Sequence, residues 1–413
     1  MFLRSVLPML GVVADSPKVN PVPSIAPLAA LRLVFALNGL GLALWLPRIP
    51  DVKAALDVDL MALALCFFML PVGTMIGFVA APRMLTRHGA RAVCRWGGAG
   101  FILCFVLPAT AQSALQLGAA LLVTGLAVGS IEVAMNAKAT ELERTARRRI
   151  MSSCHAFWSL GGMVGAMLGG LAGQAGIPFL AQQLLLTPVF AAFAFAVAAS
   201  LPGEVRVVID PALPSARRGL PTGPLLALCL LPIGALMIEG AMMEWSALFL
   251  EEAAGLGALP AGAVFATFAL SMAGSRMAGD ALTERFGPAR VLAGSAMLAG
   301  VGVVAFATAR GLPQAVPAAA IVGLGIANVY PLAMSLSATV PGRRVEDSIA
   351  TVAFAAFTAF LVGPPLIGAT GSALGLPTAL LILTPLALSP LLLIRAVLQP
   401  HLPEEPACQA PKP

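Results

Sequence analysis

The sequence predicts an all-α polytopic membrane protein, with twelve transmembrane helices in two pseudo-symmetric six-helix bundles. Three observations predict it. Of 413 residues, 59% are hydrophobic and 11% charged, with a mean hydropathy of +0.93; a water-soluble domain carries far more charge. Apolar runs long enough to cross a bilayer as helices recur along the chain. One loop pattern also occurs twice: Leu85-Thr86-Arg87-His88-Gly89-Ala90-Arg91 and Thr283-Glu284-Arg285-Phe286-Gly287-Pro288-Ala289-Arg290 align at Gly89 and Gly287, an offset of 198 residues that pairs Arg87 with Arg285.

Residues 1–27 are expected to form a cytoplasmic tail. Met1 to Ala14 is apolar but too short to span, and Pro17, Pro21, Pro23 and Pro27 make the approach irregular. The first bundle is expected over residues 28–201, with spans near 28–47, 60–81, 95–111, 115–137, 151–173 and 182–201. Residues 202–222 carry Glu204, Arg206, Asp210, Arg217 and Arg218 and form the one long polar connection, a cytoplasmic linker. The second bundle is expected over 223–397, with spans near 224–249, 259–279, 289–309, 314–337, 348–371 and 376–397. Residues 398–413, with no motif, are expected to form a cytoplasmic tail.

An even number of spans puts both termini on one side. If that side is cytoplasmic, the opposite connections hold only Arg48, Lys53 and Arg310 of the 25 lysines and arginines. The others gather at Arg83, Arg87, Arg91 and Arg95, at Lys138 and Arg144 to Arg149, and at Arg343 and Arg344. The positive-inside rule chooses this orientation. The clusters read as solvated anchors at anionic headgroups of the lipid bilayer. They account for the net charge of +6 without a nucleic-acid partner. The six cysteines form no C-x-x-C pair and read as small buried hydrophobes.

The polar groups inside the apolar runs are the candidate functional residues. In the fourth run Gly125, Gly129, Glu132 and Asn136 recur at i, i+4, i+7 and i+11, on one helix face. The glycines admit a neighbouring helix. A carboxylate at this depth is costly and marks a functional site or a structural hydrogen bond. The 198-residue offset pairs Gly125 with Gly323 and Glu132 with Tyr330, beside Asn328, so the tenth run offers a polar counterpart. Parallel repeats of this kind are a transporter signature, with the site between the halves. Glu239 and Glu244 in the seventh run lie five residues apart, about 140° round a helix, so only one can face a central cavity squarely. Glu239 is the deeper and is preferred. Trp45 and Trp245 read as interfacial-belt residues, with a cavity wall as the other reading. His155 and Trp158 open the fifth run, where the histidine could relay a proton or serve as a hydrogen-bonding residue. Gly161, Gly165, Gly169 and Gly173 form a packing ridge behind them. Asn38 is the strongly polar residue in the middle of the first run.

These residues carry a resemblance. Gly279-Asp280-Ala281-Leu282-Thr283-Glu284-Arg285-Phe286-Gly287 resembles the loop pattern G-x-x-x-D-R-x-G-R-R of the major facilitator superfamily, over a chain whose full length fits that family. The first copy has Pro82 where the aspartate would stand. The resemblance therefore implies a cytoplasmic gate of Arg87, Asp280 and Arg285, with Arg276 one turn before Asp280; a snorkelling anchor is the other reading of Arg276. Ile131-Glu132-Val133-Ala134-Met135-Asn136 is similar to the fourth span of the fucose–proton symporter branch, which implies substrate and proton handling for Glu132. Trp45-Leu46-Pro47-Arg48-Ile49-Pro50-Asp51-Val52-Lys53 and Ser152-Ser153-Cys154-His155-Ala156-Phe157-Trp158-Ser159-Leu160-Gly161-Gly162 resemble little-studied members from the bacterial inner membrane. The glycine ridge resembles the G-x-x-x-G-P-x-x-G-G motif of the antiporters, with Ala166 in the proline position.

No enzyme, metal or cofactor is expected. His88, His155 and His401 are too scattered to share a metal. No phosphate-binding loop, nucleophile elbow or dinucleotide fingerprint is present. The expectation is a monomeric secondary transporter in the inner membrane, moving a small polar, possibly sugar-like solute by alternating access and coupled to protons. The expected substrate and proton site is Glu132, Asn136, Asn38, Glu239, His155, Asn328 and Tyr330. Proton-antiport efflux of drugs or metabolites is the runner-up, and a membrane sensor without transport the third reading.

Overall fold

The computed structural model describes residues 25–147, 150–203, 221, 223–337, 339–340 and 345–398. Most of the expected tails, most of the linker, and Arg148, Arg149, Arg343 and Arg344 lie outside the described residues. Among the described residues, twelve helices are long and apolar enough to cross a membrane. Spans 1 to 6 are Pro27–Leu56, Leu60–His88, Ala90–Thr110, Ala114–Ala146, Met151–Gln174 and Phe179–Ala199. Spans 7 to 12 are Gly223–Glu244, Ala258–Phe286, Pro288–Ala307, Leu312–Ser337, Thr351–Leu374 and Leu376–Leu398. Spans 2, 4 and 8 run about two turns past their apolar runs. The hydrocarbon sets the length of an apolar run, but helical hydrogen bonding continues into water wherever no breaker intervenes.

Both six-helix bundles are assembled alike. Span 1 packs on span 5 and span 2 on span 4; span 7 packs on span 11 and span 8 on span 10. Backbone contact at glycines sets these distances. A methyl built on Gly125 would lie 2.0 Å from the Leu70 carbonyl oxygen, and one on Gly161 1.8 Å from that of Ala36. The glycine ridge of span 5 is thus a packing surface for span 1. The repeated loop is repeated in geometry too. Gly89 has φ 83° and ψ 157°, and Gly287 has φ 79° and ψ 156°. Their N–H groups close the preceding helices on the carbonyls of Leu85 and Thr283, again 198 residues apart. Positive φ is why glycine stands at both corners.

Spans 1, 7 and 10 are interrupted. Helix stops at Ala43 before Pro47, at Leu230 before Pro232, and at Ile326 before Pro331. A proline cannot accept the preceding turn without losing a hydrogen bond and meeting a carbonyl. Span 7 was expected to continue to 249, but it ends at Glu244 and a separate helix, Ser246–Ala254, follows.

Three side chains differ from their expected surroundings. Trp45 and Trp245 are not belt residues: they are 3% and 0% exposed. Phe67 stands between them, its ring centroid 6.0 Å from Trp45 and 5.5 Å from Trp245. Burying three large rings against each other gains more than leaving two indoles at the interface. Lys138 is not a solvated anchor. It is fully buried on the packed face of span 4 and holds Glu141 at 2.8 Å. Such a pair offsets the desolvation that a lone ammonium would suffer.

Candidate functional site

Spans 1, 5, 7 and 8 surround a narrow cavity between the halves, lined by Gly39, Trp158, Ser159, Glu239, Phe265 and Met272 among others. Its free volume is about 10 Å³, room for roughly one water molecule. Glu239 is 8% exposed and reaches across to span 8, where Arg276 faces it at 3.5 Å. The same guanidinium donates to the Ser159 hydroxyl at 3.3 Å, so Arg276 joins the two halves.

This placement corrects the expectation for Arg276. It forms no gate pair with Asp280 and does not snorkel. A helical side chain leans toward the N-terminus of its helix, which carries Arg276 away from Asp280 and toward the membrane centre. There the desolvated Glu239 is the partner that gains most from a counter-charge. Arg87, Asp280 and Arg285 are exposed. Among the described residues, none of the three makes an ion pair; Arg285 lies 5.3 Å from the ring of Phe286.

The other expected residues divide into two groups. Glu132 is half-buried and lies in the neighbourhood of Glu239; Tyr330 lies near Glu132, Glu239 and Arg276, and His155 lies near Arg276. His155 also packs edge-on against Phe35, with ring centroids 5.4 Å apart. Asn38 accepts a hydrogen bond from the Trp158 indole at 2.9 Å, and its buried amide nitrogen has no partner among the described residues. Those residues converge on one region. Asn328 departs from the expected site: it donates to Ser275 at 3.0 Å and fills the space beside Gly279, locking span 10 to span 8. A buried amide takes the hydroxyl within its own bundle because leaving it unbonded is costly. Asn136 is half-buried, with no side-chain hydrogen bond among the described residues.

Sequence reasoning did not find Ser159 or the Trp158–Asn38 bond. Trp158 and Ser159 stand within the singled-out fifth-span stretch, but only His155 in it has an ordinary titration near neutral pH. It also missed a fixed network at the end opposite the arginine clusters. Arg48, 4% exposed, binds Asp51, Gln182 at 2.6 Å and the Ile177 carbonyl at 3.0 Å. At that end the Ile49–Leu56 and Ser246–Ala254 helices pack together across the halves. Burial and then the charge of Asp51 push the Glu251 carboxyl up, with Lys53 opposing. Together with the Trp45–Phe67–Trp245 stack, these contacts close that end of the cavity.

Comparison with known proteins agrees with this architecture. The sequence profile of the Major Facilitator Superfamily matches residues 31–344. An uncharacterized MFS-type transporter of Yersinia pestis is 28% identical over 84% of this chain and 89% of its own. The membrane protein MosC of Rhizobium meliloti is 27% identical over 86% of each. Among solved structures, the nucleoside transporter NupG superposes with a TM-score of 0.66, covering 91% of this chain and 99% of its own at 14% identity. A bacterial homologue of the human lysosomal transporter Spinster, in an inward-facing and occupied conformation, reaches 0.67 at 15% identity, covering 91% of this chain and 98% of its own. Twelve paired spans, the repeated glycine corner and the profile match lead to one conclusion: the chain belongs to the Major Facilitator Superfamily and is a secondary transporter, not an enzyme.

Proposed function

We propose that the protein moves a small polar solute by alternating access, coupled to protons through Glu132, with both termini on the cytoplasmic side of the inner membrane. One observation carries this reading: two carboxylates, Glu132 and Glu239, are neighbours, and a single guanidinium, Arg276, pairs with Glu239. Arg276 compensates Glu239 directly. Glu132 has no ion-pair partner among the described residues. With both carboxylates ionised the group carries one uncompensated negative charge; one proton removes it. A carrier that crosses between states only when this charge is balanced couples protons to solute. The unbonded Asn38 amide and the Tyr330 hydroxyl supply polar contacts of the kind that would orient a hydroxylated solute.

The test begins with a substrate screen by thermal shift at two pH values, followed by reconstitution in liposomes. Glu132→Gln keeps the shape of the side chain but fixes its charge at zero. It should retain solute binding and solute exchange, and lose accumulation driven by a pH gradient. Loss of binding and exchange together would make Glu132 a solute ligand or a structural residue. Intact gradient-driven accumulation would remove it from coupling. An outside-acid gradient should drive uptake; expulsion would favour the efflux reading that the glycine ridge of span 5 suggests.

A further inference from the structure

A further half-buried carboxylate lies outside the central site. Glu244 ends span 7, five residues beyond Glu239, about 7.5 Å further along the helix and roughly 140° round it. It lines a separate cavity between spans 7 and 11, together with Gly240, Phe360, Gly363 and Pro364. Gly363 is buried, yet a methyl built on it would meet nothing within 4 Å, which marks the void from the other wall. Among the described residues Glu244 makes no hydrogen bond and no ion pair.

The facing wall has a chemical peculiarity. Span 11 runs unbroken as a helix through Pro364 and Pro365. Pro364 has no N–H, so the carbonyl of Phe360, four residues earlier, loses its helical donor. Phe360 and Pro364 both line the cavity that Glu244 lines. A protonated carboxyl would supply the missing donor; an ionised one could only accept. The cavity is too narrow for a hydrated metal ion, so the proton is the fitting ligand. No charged neighbour competes for the carboxyl. Span 11 carries no titratable residue from Thr351 to Leu374, span 10 offers Tyr330, span 12 only Arg395 near its far end, and the following helix Glu251 and Glu252.

We infer that Glu244 is a second proton-binding site, separate from the Glu132–Glu239–Arg276 group, in which the protonated carboxyl binds the carbonyl that Pro364 leaves free. The proton comes from the aqueous phase and returns to it; no bond but O–H forms or breaks. Infrared difference spectroscopy of the reconstituted protein between acid and alkaline pH tests this without any solute. The wild-type protein should show a carboxylic C=O band that appears on acidification and moves in heavy water. Glu244→Gln should remove that band and Glu132→Gln should leave it, so failure of the central reading and failure of this one are told apart. Glu244→Asp, a milder change should Glu244→Gln not fold, should move the band. A band unchanged in both Glu244 variants, or one that does not titrate, overturns the inference. So does loss of the band on adding sodium at constant pH, which would make this a metal-ion site.

Discussion

Span 2 meets span 11, and span 5 meets span 8, along two seams that the 198-residue repeat relates position by position. Toward the end closed by the aromatic stack, the seams are alike. A methyl on Gly170 would lie 2.9 Å from the carbonyl oxygen of Ala258; one on Gly368 would lie 3.1 Å from that of Leu60, and the two glycines, like the two carbonyl residues, lie 198 apart. Nearer the membrane centre the same construction places different chemistry. Phe78 meets Phe357 edge-on at 4.8 Å, and the positions equivalent to them are Arg276 and Ser159. The scaffold contact is therefore duplicated, while the charge is present once. An aromatic pair can slide or part at small cost. The Arg276 guanidinium, paired with Glu239 in its own half, cannot part from the other half without giving up its hydrogen bond to Ser159. Under the proposed function, the span 5–span 8 seam is the one whose opening depends on the occupants of the central site.

The sharpest way to break this contrast is to remove the charge. Arg276→Ala leaves Glu239 buried and unpaired and should destabilise the protein by about 3–5 kcal/mol, read as a lower unfolding temperature in detergent. Adding Glu239→Gln should recover more than half of the loss. Equal losses in the single and double variants would show that packing, not charge, sets the value of Arg276.

A smaller effect is expected at the shared glycines. Gly170→Ala and Gly368→Ala force a methyl against backbone or Ala64 and should each cost about 1–3 kcal/mol in the state closed at that end. A cysteine placed at Ala258 or Leu60, in a background without other thiols, should then label faster. Faster labelling at only one of the two seams would break the equivalence.

The smallest effect belongs to the aromatic pair. A double-mutant cycle on Phe78→Ala and Phe357→Ala should give a coupling of about 1 kcal/mol, with little change in any pH dependence of stability. A coupling as large as that of the Arg276–Glu239 pair would erase the distinction between the seams.

Much of the fold was legible because its causes are local. An apolar run of span length reports a membrane crossing, and a glycine forced to positive φ reports a corner, so Gly89 and Gly287 revealed the repeat before any coordinate did. Glu132 and Glu239 were legible as candidates because a carboxylate in such a run is costly wherever it points. The partners were not legible. Arg276 has Asp280 at the spacing of a helical ion pair, and nothing local says that its side chain leans the other way, toward a carboxylate 37 residues earlier. Asn328 and Lys138 failed for the same reason. Whether an amide or an ammonium faces a cavity, a neighbouring helix or solvent depends on packing that the span itself does not encode. Trp45 and Trp245 lie near span ends, where belts form, and only the meeting of the two halves around Phe67 buries them.

That aromatic stack gives the transporter a built-in optical signal. The chain has four tryptophans. Trp45 and Trp245 flank Phe67 and are buried, Trp158 is tied to Asn38 beside the central cavity, and Trp96 is 69% exposed on the outside of its bundle. Indole emission moves to longer wavelength as its surroundings become wetter. Parting of the halves at that end wets Trp45 and Trp245 together, while Trp96 stays a constant background. Ordinary ultraviolet fluorescence can therefore follow the carrier between its states, with no label attached and before its solute has been identified.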